Sequence, residues 1–172
     1  MRDQRDDVEQ LKSMPSVLFV CTANQFRSPI AALYFSRVVS KEEDEADWTV
    51  ESAGTWTNPG LPVPPFSKRV ADLLGLEGLE EHLTRQVDHD LISKYHMIIV
   101  MENNHKEAIL SEFPIVSDRL YILSELATGI PYDIPDPADP DVIPEDVGRE
   151  LKNLINRGKK KIIELARLNS TR

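Results

Sequence analysis

Cys21 and Arg27 stand six positions apart, with Thr22-Ala23-Asn24-Gln25-Phe26 between them and Ser28-Pro29 directly after. Before them, Ser16-Val17-Leu18-Phe19-Val20 is a short apolar run rich in strand formers, which reads as a buried strand. After them, Pro29 suits a first helical position and Ser28 the cap before it. A strand, loop and helix in that order gather backbone N–H groups on an anion. A helix N-terminus and a nearby guanidinium both favour thiolate over thiol. The spacing lets the loop curl into one ring, so that the fork of Arg27 faces a phosphate beside the Cys21 sulfur. That is the chemistry of a phosphatase with a cysteine nucleophile.

A lone cysteine ending an apolar strand can also be just a small buried hydrophobe. The setting between strand and helix, with the arginine at the sixth position, favours the nucleophile. Cys21 would attack phosphorus and form a phosphocysteine intermediate. Arg27 would hold two non-bridging oxygens, and the N–H groups of Thr22, Ala23, Asn24, Gln25, Phe26 and Arg27 would bind the rest. Ser28 has two compatible roles, helix cap and hydrogen-bond donor to the departing sulfur. A leaving phenolate of pKa about 10 needs a proton. Four aspartates between Tyr132 and Asp141, at 133, 136, 139 and 141, have an equal claim to supply it.

The bulk numbers agree with one soluble domain. The chain has 172 residues, 41% hydrophobic and 28% charged, enough to bury a substantial core. No apolar run approaches the roughly 18 residues of a bilayer span, and no signal core follows the charged start. A single cysteine forms no internal disulfide, which suits the cytoplasm. A net charge of −9 argues against a nucleic-acid partner, and nothing suggests a membrane partner. It does not exclude a phosphoester, because loop donors dominate at contact and distant charge is screened beyond roughly 10 Å. The histidines at 82, 89, 96 and 105 are scattered and no metal-ligand spacing emerges, so neither metal nor cofactor is expected. His82 reads as a structural hydrogen-bonding residue.

The elements that must position this loop are legible from periodicity. Residues 1–15 read as an extension, either a weak helical stripe through Val8, Leu11 and Met14 or a disordered arm; the domain proper is 16–172. Helices are expected over Pro29–Ser40, Phe66–Leu74 with Gly75 as stop, Asn104–Phe113, and Glu145–Leu168 with a kink or break at Gly158. Lys41 to Glu45 reads as a solvated turn. Further strands are expected over Trp48–Ala53, Tyr95–Met101 and Arg119–Leu123. Alternating strands and helices imply an α/β fold: a four-stranded parallel sheet between helical layers, three layers in all, with the phosphate loop after the first strand. A ligand then sits beyond the C-terminal strand ends, where Cys21 falls.

Cys21-x-x-Asn24-x-x-Arg27-Ser28-Pro29 near the start of a chain of this size resembles the low-molecular-weight protein tyrosine phosphatase family. Ser52-Ala53-Gly54-Thr55, His82-Leu83-Thr84-Arg85, Ile98-Ile99-Val100-Met101 and Asp136-Pro137 are similar to that family's later segments, in order, over roughly residues 16 to 168. The resemblance implies that Asp136 is the general acid, with Asp139-Pro140 as runner-up, and that Asn24 holds the loop in its curl. It implies a phosphoprotein substrate, phosphotyrosine first and phosphoarginine as the alternative, with inorganic phosphate or other oxyanions binding the loop. Departures are Ala23 for the usual glycine, Phe26 for a frequent second cysteine, Gln25 at a branched position and Ala138 where an aromatic residue often stands. Trp56, Phe26 or Tyr132 could supply the missing aromatic wall. Arsenate reductase, of similar fold, needs relay cysteines that are absent. A phosphate-binding module without turnover is the remaining alternative.

Overall fold

The computed structural model describes residues 14–42 and 48–172. The expected N-terminal extension falls mostly on 1–13, and the acidic part of the expected turn on 43–45, so both lie outside the described residues. Lys41 and Glu42 belong to the preceding helix rather than to a turn.

Four parallel strands form the sheet: β1 (Ser16–Cys21), β2 (Thr49–Gly54), β3 (Met97–Val100) and β4 (Leu120–Ile122), in the order β2-β1-β3-β4. β1 lies centrally, paired with β2 on one side and β3 on the other. The chain reverses its direction of winding at β1, and its C-terminal end is therefore the crevice where such sheets bind ligands. Every residue of β1 is buried, as expected of a strand covered on both faces.

The period of two sorts β1 between the layers. Val17, Phe19 and Cys21 face a core shared with α1 (Arg27–Glu42), α2 (Pro65–Leu73) and α6 (Pro144–Ser170). Leu18 and Val20 face a second core with Ile92 of the short α3 (His89–Ile92), Ile109 of α4 (Asn103–Glu112), and Phe113 and Val116 beyond it. The nucleophile candidate thus leaves the sheet on the α1 side by parity alone.

The expected elements form, with ends shifted by at most two residues. Gly75 stops α2 as expected: it takes a positive φ of 68°, its N–H reaches the Asp72 carbonyl, and Leu76 N–H reaches Ala71. Two short elements carry too few residues to show a period, α3 and α5 (Leu123–Thr128). Gly158 does not break α6. A Cβ there would lie 3.3 Å from Ala127 Cα, so the glycine admits the backbone of α5 against a continuous helix of 27 residues.

Candidate active site

The loop between β1 and α1 is organised around Asn24. This residue is fully buried and holds φ at 56°, the left-handed region that asparagine tolerates better than most. Its side-chain amide donates to Ser28 Oγ and to Ser52 Oγ, each at 2.9 Å. Its Oδ1 accepts the Arg85 backbone N–H at 2.9 Å, and its carbonyl accepts from His82 Nε2 at 2.8 Å. Burial is the main influence on the His82 imidazole and pushes its pKa down, which suits a neutral ring with its proton on Nε2. Strain in the loop therefore falls at Asn24. Ala23, which would resist a positive φ, is not among the residues that adopt one.

Helix α1 begins at Arg27, two residues before the expected Pro29. Ser28 consequently lies inside the first turn and is not the cap. Its hydroxyl stands 3.0 Å from Cys21 Sγ and 3.2 Å from the Ala53 carbonyl. Because Asn24 occupies the Ser28 oxygen as a donor, the single Ser28 proton is available to the sulfur or to Ala53. A sulfur that carries negative charge is the stronger acceptor of the two.

Arg27 is 2% exposed, yet it carries a charge, so its partners matter. Its Nη1 donates to Glu102 and, at 2.8 Å, to the Ile134 carbonyl; its Nη2 lies 3.2 Å from Asp136 Oδ2. The four candidate aspartates separate here. Asp133 accepts the Asn103 N–H at the start of α4, and Asp139 accepts the N–H of Asp141 in an exposed turn. Asp136 alone of the four pairs with Arg27, its side chain 43% exposed, with Oδ1 held by the Ala138 N–H at 2.9 Å. The backbone N–H groups of residues 22 to 26 have no acceptor among the described residues.

Of the three candidate aromatic walls, Phe26 is ruled out: it is buried and stacks on Phe66 at 5.7 Å. Tyr132 bonds Glu150 of α6, while Trp56 stands 83% exposed just beyond β2. Gln25 is tied down at the loop's outer edge, its Nε2 on the Pro62 carbonyl at 3.2 Å and its own carbonyl on Ser67 Oγ at 2.7 Å.

Two residues near the loop escaped sequence reasoning. Glu102 lies two residues beyond β3 and pairs with Arg27, and His105, in the first turn of α4, bonds Thr22. A charged residue ending the buried run of a parallel strand, at the sheet end where ligands bind, is the signal that would have found Glu102. Among the described residues no cluster of His, Cys, Asp and Glu is suited to hold a metal, and no helix is long and apolar enough to cross a membrane.

Known proteins share this architecture. The model of the low molecular weight phosphotyrosine protein phosphatase family matches residues 16–168. A protein-arginine-phosphatase of Geobacillus stearothermophilus is 30% identical over 142 residues, covering 82% of this chain and 91% of its own. A putative low molecular weight protein-tyrosine-phosphatase of Klebsiella pneumoniae is 31% identical over 71% of this chain and 78% of its own. The solved structure of the arginine phosphatase YwlE, as a mutant with a phosphorylated active-site serine, superposes with a TM-score of 0.79 at 25% identity, covering 87% of this chain and 96% of that one. With the family model spanning β1 to the last turn of α6, this chain belongs to the low molecular weight phosphotyrosine protein phosphatase family and is a phosphatase.

Proposed function

We propose that Cys21 is the nucleophile of a metal-free protein phosphatase and that Arg27, Ser28 and Asp136 complete its machinery. The observation that carries this reading is the chain Asn24–Ser28–Cys21, in which an asparagine amide leaves the serine proton free for the sulfur at 3.0 Å. In the first step the Cys21 sulfur forms a bond to phosphorus while the bond to the ester oxygen breaks. Asp136 gives its proton to that oxygen. In the second step water adds to phosphorus, the S–P bond breaks, and the Asp136 carboxylate takes the water proton. Ser28 donates to the sulfur as it departs. The unpaired N–H groups of the loop and the Arg27 fork bind the phosphoryl oxygens, whose charge grows toward the transition state. An incoming phosphoryl dianion competes with Asp136 for Arg27 and so frees the carboxyl to act on the leaving group.

Phosphotyrosine in proteins is the substrate this reading puts first, with exposed Trp56 beside the loop as an aromatic wall. Phosphoarginine is the second reading. Gln25 Oε1 has no donor among the described residues and could accept from a guanidino N–H, and the Geobacillus relative is named a protein-arginine-phosphatase. We assign the catalytic domain to 16–172 and, from the lone catalytic thiol, a reducing cytoplasmic location.

Hydrolysis of p-nitrophenyl phosphate without added metal, at pH 5 to 8, tests the assignment. Wild type should turn over, Cys21→Ser should not, and Asp136→Ala should fall by about a hundredfold or more. Folded wild type that binds vanadate without turnover would instead make the chain a phosphate-binding module. Phosphotyrosine and phosphoarginine peptides then decide between the substrates.

A further inference from the structure

His105 is 3% exposed and lies on the first turn of α4, far along the chain from the loop it touches. Its Nε2 stands 2.8 Å from Thr22 Oγ1, while its Nδ1 is buried with no partner. An imidazolium would need an acceptor at both nitrogens. Burial first and the Arg27 charge second push its pKa down to about 4 against the opposing carboxylates of Glu102, Asp133 and Asp136, and the unpartnered Nδ1 agrees with a neutral ring. A neutral imidazole makes one hydrogen bond to Thr22 at a fixed position and adds no charge beside the nucleophile.

Thr22 follows Cys21 directly, and its carbonyl is already held by the Trp56 N–H at 3.0 Å. At the other end of the loop Arg27 is held by Glu102. Glu102 is the extended residue that precedes α4, and His105 stands three residues on, in the first turn of that helix. The start of that helix is in turn capped by Asp133, three residues before Asp136. The start of this helix, cap residue and first turn together, therefore grips the loop at Thr22 and Arg27 and is tied to the acidic segment.

We infer that His105 is a positioning residue of the phosphate loop: by holding the Thr22 hydroxyl, while Glu102 holds Arg27, it keeps the loop's two ends at the separation an oxyanion requires. This deepens the proposed function and rests on the loop being the phosphate site, but not on turnover. His105 touches neither sulfur nor substrate, and its effect passes through Thr22.

Calorimetric binding of inorganic phosphate to the full chain, alongside kcat and KM for p-nitrophenyl phosphate, tests the inference. His105→Phe keeps the volume and removes the bond; it should weaken phosphate binding by about fivefold, one net hydrogen bond's worth, and lower kcat/KM in parallel. His105→Gln places an amide nitrogen near the position of Nε2 and should recover most of the loss. Thr22→Val should reproduce His105→Phe, and the double variant should be no worse than either alone. Phosphate affinity unchanged in His105→Phe, additive losses in the double variant, or no rescue by glutamine in a folded protein would each overturn the inference. If His105→Phe does not fold, the pair Thr22→Val and Thr22→Ser decides: weakened binding in the valine variant alone supports it, and equal binding in both refutes it. Wild type that binds phosphate without hydrolysing substrate would count against the proposed function and leave these outcomes readable.

Discussion

Replacing Asn24 separates two contributions that usually travel together, side-chain hydrogen bonds and backbone conformation. Asn24→Ala removes the two donations to Ser28 and Ser52 and the acceptor for the Arg85 N–H. The position is fully buried, so water does not replace them. At about 1 kcal/mol net for each bond, the loss is about 3 kcal/mol, and the orphaned Arg85 N–H keeps it from being smaller. Alanine must also hold φ near the observed 56°, at a further cost of about 1 kcal/mol. Asn24→Gly loses the same bonds but adopts that φ freely, so glycine should be the more stable variant by about 1 kcal/mol. The expected losses, about 3 kcal/mol for glycine and about 4 for alanine, are large beside a typical domain stability of about 5–15 kcal/mol. Urea unfolding followed by circular dichroism at pH 7 measures all three proteins. Alanine equal to or more stable than glycine would refute the left-handed assignment, and losses well under 1 kcal/mol for both would refute the buried network.

Three further outcomes are expected. A Cβ on Gly54 would lie 2.5 Å from the Thr22 carbonyl oxygen, so Gly54→Ala must displace the loop; we expect a loss of about 1–3 kcal/mol together with weakened phosphate binding, and unchanged phosphate affinity would contradict this. Cys21 has no second thiol to capture its sulfenic acid, so excess peroxide should carry it to irreversible acids; full recovery of activity with dithiothreitol after prolonged exposure would show otherwise. His105 is held down to about 4 by burial first and Arg27 second, against about 6.5 in the unfolded chain. Above pH 6.5 both states are neutral and its contribution is complete. As pH falls toward 4 only the unfolded chain binds the proton, and stability drops by on the order of 3 kcal/mol. His82 and His96 are also shifted downward and act in the same direction. His105→Gln should therefore lose less stability than wild type between pH 7 and 4.5, and identical losses would exclude this coupling.

What could be read from sequence is what depends on near neighbours. The alternation Val17, Phe19, Cys21 against Leu18, Val20 sets the face of the sheet from which the sulfur emerges, and the Cys21-to-Arg27 spacing sets the size of the ring. Gly75 ends α2 because left-handed backbone there is local chemistry. Ser28 stands beside the sulfur but inside the first turn of α1 rather than at its cap, where it accepts from an Asn24 amide that also reaches Ser52 on β2. Gly158 misled for a similar reason: its partner, Ala127, is distant in the chain.

The partners of Arg27 belong wholly to tertiary structure. β1 and β3 pair with Val20 beside Val100, and that register brings Glu102 and His105, 75 and 83 residues along the chain, to the two ends of the loop. Asp133, Asp136, Asp139 and Asp141 are equivalent as chemistry in a proline-stiffened run. They become distinct only when the Ile134 carbonyl docks on Arg27 and turns Asp136 toward the same guanidinium. Short-range spacing determined which groups could react, because it acts through covalent geometry. Which charges surround them was decided by strand register and loop docking, which no local period encodes.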